Sequence, residues 1–105
     1  MAVTSKELYA GTLTTTLTAT LYTVPSSTNT VVTSITICNS SGSSANLTLK
    51  AGGTALFAAL PVDAGTSLFL GPNDIRKVLA TTKTIAGGAS AGSALEVTIN
   101  GVELT

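Results

Sequence analysis

Val31-Val32-Thr33-Ser34-Ile35-Thr36-Ile37-Cys38-Asn39, followed after five small residues by Ala45-Asn46-Leu47-Thr48-Leu49-Lys50-Ala51, is the stretch that decides the fold. In the first segment Val31, Ile35 and Ile37 alternate with Ser34 and Thr36, interrupted by Val32, Thr33 and Cys38. In the second, Ala45, Leu47, Leu49 and Ala51 alternate with Asn46, Thr48 and Lys50. A repeat of two residues is that of a strand with one buried face, because successive side chains leave a strand on opposite sides. Ser40-Ser41-Gly42-Ser43-Ser44 between them reads as a turn, so the two segments are expected to pair as an antiparallel hairpin.

Outward from this centre the pattern continues. Near the C-terminus Leu95, Val97 and Ile99 alternate with Glu96, Thr98 and Asn100, and beyond Gly101 the apolar phase moves to Val102 and Leu104. That predicts a strand over 94–104 with a bulge or bend at Gly101. Shorter strand-like segments are Ala19 to Val24, Leu56 to Leu60 ahead of Pro61, Ser67 to Leu70, Arg76 to Leu79 and Thr82 to Ala86. Turn signals stand at Pro25 to Asn29 and at Gly71-Pro72-Asn73-Asp74. A helix over 51–64 is ruled against by Gly52, Gly53 and Pro61. The expectation is an all-β chain, a single small antiparallel β-sandwich, jelly-roll-like or immunoglobulin-like, of about eight short strands. Residues 1–18 form an N-terminal strand or an arm ordered against a neighbour, and 19–105 form the sandwich.

Composition bounds the chemistry. Among 105 residues there are 20 Thr and 11 Ser but only five Lys+Arg and five Asp+Glu, with no His, no Trp and one Cys. Without His the usual general base is missing, together with the commonest zinc and copper ligand. Cys38 alone builds neither an internal disulfide nor a thiolate zinc site. The carboxylates Glu7, Asp63, Asp74, Glu96 and Glu103 are scattered; Asp63 and Asp74 suit turns, while Glu96 and Glu103 fall on the polar phase of the last strand, where solvation explains them. Gly87-Gly88-Ala89-Ser90-Ala91-Gly92-Ser93 has the glycine spacing of a phosphate loop but Ser93 where the Lys must be, so it reads as a flexible hairpin tip. No enzyme activity, metal or cofactor is expected.

Partners are bounded in the same way. Zero net charge removes the electrostatic pull toward nucleic acid, and no apolar run reaches membrane-spanning length. The first residues carry no basic segment followed by an apolar one, so no secretory signal is expected. A neutral, apolar-rich chain with few charges associates readily, including with its own copies. Assembly contacts are expected at Thr12, Leu13, Thr14 and Leu17, where an unpaired edge would offer hydrogen bonds to a neighbour, and at Arg76 and Lys77, part of the only local basic group.

The islands Leu21-Tyr22-Thr23-Val24-Pro25, Val31 to Asn39, Leu56-Phe57-Ala58-Ala59-Leu60-Pro61-Val62 and Val97-Thr98-Ile99-Asn100-Gly101-Val102-Glu103 resemble small proteins encoded in the structural-gene regions of tailed bacteriophages. The resemblance covers roughly 20–104 and supplies no catalytic motif. It implies a β-sandwich carried on the virion and assembled in the host cytoplasm. The expected role is a capsid decoration or cement protein on the outer head surface, oligomeric with a trimer favoured, whose partners are its own copies and the major capsid protein or other virion proteins. The alternatives are a tail, neck or fibre accessory and a host-surface carbohydrate-binding module.

Overall fold

The computed structural model describes residues 3–71, 77–92 and 94–105. Those residues form nine strands and no helix: β1 (Val3–Thr12), β2 (Thr20–Thr23), β3 (Asn29–Asn39), β4 (Ala45–Ala51), β5 (Thr54–Val62), β6 (Ser67–Leu70), β7 (Lys77–Leu79), β8 (Thr84–Ala89) and β9 (Leu95–Leu104). One sheet runs β1-β9-β3-β6, with β7 also on β3, and the other runs β2-β8-β4-β5. Every pairing is antiparallel. β6 lies along Ile35 to Cys38 and β7 along Thr30 to Val32, so together they make one interrupted edge strand. Counted so, the described strands have the order of an eight-stranded jelly roll, in which the chain passes from one sheet to the other at every step except between β4 and β5. The inner faces bury Leu13, Val32, Ile35, Ile37, Leu47, Leu49, Leu79, Ile85, Leu95, Val97 and Ile99. Burial of a Leu or Ile of this kind is worth roughly 1.5–3 kcal/mol, and this core holds the two sheets together.

This topology overturns the expected β3–β4 hairpin, because the two strands lie in different sheets. The reason is Asn39, fully buried where the chain leaves the first sheet. Its Nδ2 donates to the carbonyls of Ser43 and Val62, both at 2.9 Å, while its Oδ1 accepts from the backbone N–H and the hydroxyl of Ser41. The polar turn is thus an arch built around one amide. The chain's tight hairpin is β4–β5 instead, turned at Gly52 and Gly53, both at positive φ.

The phase of β3 differs as well. Its pairing with β9 slips between Val32 and Ser34, so Thr33 is an extra residue and the inward set is Thr30 and Val32, then Ile35, Ile37 and Asn39. Val31, expected to face inward with Ile35 and Ile37, faces outward. β1 slips one residue further along β9, between Glu7 and Tyr9, with Leu8 extra and buried. β9 itself keeps one phase through Gly101, so the expected irregularity lies in its two neighbours. A Cβ on Gly101 would stand 2.5 Å from the Val31 carbonyl and 2.8 Å from Leu8 Cδ1, so the bulged Leu8 occupies the room that glycine leaves.

The first part of the glycine run is strand, and β8 and β9 lie in different sheets, so the run does not tip a hairpin. Gly87, Gly88 and Ala89 are buried within β8, Ser90 to Gly92 are exposed beyond it, and Ser93 lies outside the described residues; the segment between β1 and β2 crosses directly over Gly88, with the carbonyls of Thr14 and Thr16 where a side chain would be. Pro61, expected to follow a strand, lies inside β5, which tolerates it because β5 is an edge.

Candidate docking surface

Strand alternation sorts the first sheet into two faces, and the outer one collects unusual residues. Three of the exposed large apolar side chains lie on it: Val3 (66% exposed), Phe69 (63%) and Val78 (63%). One rung across the sheet reads Ser5, Val102, Val31, Val78, and the next reads Val3, Leu104, Asn29. Five aliphatic side chains therefore form a patch at one end of this face. Further along, another rung reads Ala10, Thr98, Thr36, Phe69. At its β1 end a depression of about 370 Å³ is lined by Ala10, Gly11, Thr12, Glu96, Val97 and Thr98. At its β6 end Phe69 stands proud. Among the described side chains only Glu7 and Glu96 bring charge to this face, and Glu96 accepts a 3.4 Å hydrogen bond from the Ser40 hydroxyl.

Keeping β9 in one phase has a second effect. Val102 and Leu104, apolar, point outward, and Glu103 points inward between the sheets. The reading of Glu103 as a solvated residue is thereby corrected. The Tyr22 hydroxyl, from the opposite sheet, donates to Glu103 Oε2 at 2.5 Å and lies 2.9 Å from the Thr30 hydroxyl, while Lys6 Nζ closes the group 3.5 Å from the same carboxylate oxygen. Burial, then the hydrogen bond to Glu103, raises the phenol pKa above its ordinary 10.0. This polar group pins one end of the sandwich and leaves no buried side-chain polar atom unpartnered among the described residues.

The residues expected to make assembly contacts fall in two places. Thr12, exposed, ends β1; Leu13 is buried in the core; Thr14 is exposed, but its carbonyl accepts from Ala89 N–H at 2.9 Å. Leu17, 44% exposed, sits on the crossing between the sheets. Arg76 lies outside the described residues, as do Pro72, Asn73 and Asp74 of the expected turn. Lys77 opens β7 opposite Val32, whereas Thr12 lies opposite Glu96, itself opposite Cys38. Six residues of β3 separate those levels, about 20 Å, so the two groups sit toward opposite ends of the sheet. Leu13 and the backbone of Thr14 and Ala19 are engaged within the molecule, through Leu13 N–H to the Leu95 carbonyl and Gly87 N–H to the Ala19 carbonyl.

Nothing in the local sequence pattern marks Val3, Val78, Val102 and Leu104 as surface residues. For Phe69 a signal exists, since Leu68 and Leu70 flank it on the opposite phase. For Val31 and Val102 the signal is hidden by bulges that only pairing reveals. Among the described residues no three metal-binding side chains converge.

No protein-family model matches this chain, and no curated protein matches it. Among solved structures, a chain of the IBDV viral particle, an icosahedral virus, matches with a TM-score of 0.50 and 14% identity. The match covers 97% of this chain and 30% of that one, so this chain spans under a third of its structural relative's length.

Proposed function

We propose that the protein is a non-enzymatic structural component of a bacteriophage virion, carried in many copies on the outside of the head as a decoration or cement module. The observation that supports this best is the jelly-roll strand order together with its match, over nearly the whole chain, to part of a viral-particle chain. A neutral surface rich in hydroxyl side chains, with its apolar residues gathered on one sheet, suits a protein that works by contact. Symmetric repetition lets a modest docking patch suffice, because many weak contacts act together. In this reading the shell-facing contact is the crossing segment at the end of the sandwich, where Leu17 projects between the exposed Thr14, Thr15, Thr16 and Thr18.

Mixing the purified protein with heads that lack it, followed by electron cryomicroscopy, tests the proposal. Added density at symmetry-related sites on the shell is the expected result; density only at the neck or tail would make it an accessory there, and no density on either would overturn the virion role. Leu17→Ser is expected to lower occupancy about tenfold while leaving thermal stability unchanged, because one apolar contact of this size carries roughly 1.5 kcal/mol.

A further inference from the structure

The geometry points to a second copy of this chain as the partner of the outer face of the β1-β9-β3-β6 sheet, packed face to face about a two-fold axis parallel to the strands. The argument rests on the placement of a projection and a recess. Phe69 and the depression at Ala10 and Thr98 lie on the same rung, at opposite edges of one sheet. A two-fold axis along the strands, between β9 and β3, keeps every residue at its own level and exchanges the two edges. It therefore carries Phe69 of each copy over the other's depression. The same operation lays the Ser5, Val102, Val31, Val78 rung on its own reverse, valine on valine at the centre. A projection and a recess at different levels would not meet under any such axis.

Area and charge agree. Four strands at about 4.8 Å spacing and ten residues at about 3.3 Å each give a face of roughly 600 Å², hence about 1,200 Å² buried by two copies, at the lower limit for a specific interface. Facing sheets pack about 10 Å apart, a gap that valine and phenylalanine side chains fill. Each copy brings only Glu7 and Glu96 to this face, and the operation lays Glu96 over the other copy's Cys38 and Glu7 over its far edge, so no carboxylate lands on another. The other sheet's outer face is poorly suited, because the 13–19 crossing covers Gly88 and Lys50 lies exposed beside it. This inference concerns association in solution and stands whether or not the virion role does.

Sedimentation equilibrium and native mass measurement of the full chain test it first. A dimer is expected at micromolar concentration, with its dissociation constant raised at least tenfold by Phe69→Asp and by Ala10→Lys, without change in the circular dichroism spectrum or melting temperature. The decisive variant places cysteines at both positions, Ala10→Cys with Phe69→Cys, in a Cys38→Ser background. Within one chain these sites are three strand spacings apart, about 14 Å, whereas across the facing sheets they stand about 10 Å apart, so a bifunctional maleimide that spans the shorter gap and not the longer joins them only between copies. Cross-linking to a covalent dimer with no free thiol supports the pairing. A protein that stays monomeric at 100 micromolar or so, a trimer that Phe69→Asp leaves intact, or a dimer whose cysteines the reagent does not link would each overturn it.

Discussion

Tyr22 does for the two sheets what no aliphatic residue can, because its ring packs with the core while its hydroxyl reaches Glu103 and Thr30 on the facing sheet. Tyr22→Phe is expected to cost about 1–2 kcal/mol in denaturant unfolding, the loss of one hydrogen bond to a charged acceptor. The same contact sets an alkaline limit. With the folded-state pKa raised, the folded protein holds the phenolic proton where the unfolded chain has lost it. The stabilising contribution is complete below pH 10 and is lost as pH rises through the folded value. Stability measured from pH 9 to 11.5 should fall, and the fall should be shallower in Tyr22→Phe. A second residue carries strain: Ala59 sits at φ 55° in β5, next to a slip in the β4–β5 register. A left-handed conformation costs an alanine roughly 1–2 kcal/mol, partly offset by the greater chain entropy of glycine, so Ala59→Gly is expected to gain about 0.5 kcal/mol in stability.

Among the elements, β8 is the one whose sequence misleads most. A run of Gly, Ala and Ser has the composition of a loop, and nothing local to it reveals that residues 14–16 will lie across it. Gly88→Ala is expected to destabilise by about 3 kcal/mol, since a Cβ would meet two backbone carbonyls that cannot move aside, whereas Gly92→Ala a few residues on finds space and should stay within about 0.5 kcal/mol. Thermal melts of the two variants separate the readings. The strands themselves were legible wherever alternation is unbroken: Ala45 to Ala51 and Leu95 to Ile99 face as their sequence says. Legibility failed at Thr33 and Leu8, where one inserted residue reverses the facing of everything beyond it, and a bulge is a property of two strands together. It failed again at Ser40 to Ser44, since an arch and a hairpin use the same small polar residues and differ only in what Asn39 holds. The candidate surface was the least legible for that reason. Its valines and Leu104 are set outward by phase, and phase is decided by partners distant in sequence.

For the molecule as a whole, β4–β5 is the one tight hairpin among the described residues, and the other pairings join distant segments, such as β1 with β9 and β3 with β9. Closing those loops before any contact rewards them makes folding slow, so refolding monitored by stopped-flow fluorescence of the tyrosines should take milliseconds to seconds. Removing residues 1–18 strips Leu8 and Leu13 from the core and uncovers β8, and such a truncated chain is expected to lack a cooperative melt. The pairing of the first strand with the last has another outcome. Val3 stands opposite Leu104, so the chain enters and leaves the domain at one corner. A short linker across that corner would yield circular permutants that keep every strand. By the same token the domain can be spliced whole into a loop of a longer polypeptide, as a self-contained insert that asks its host for a single pair of adjacent attachment points.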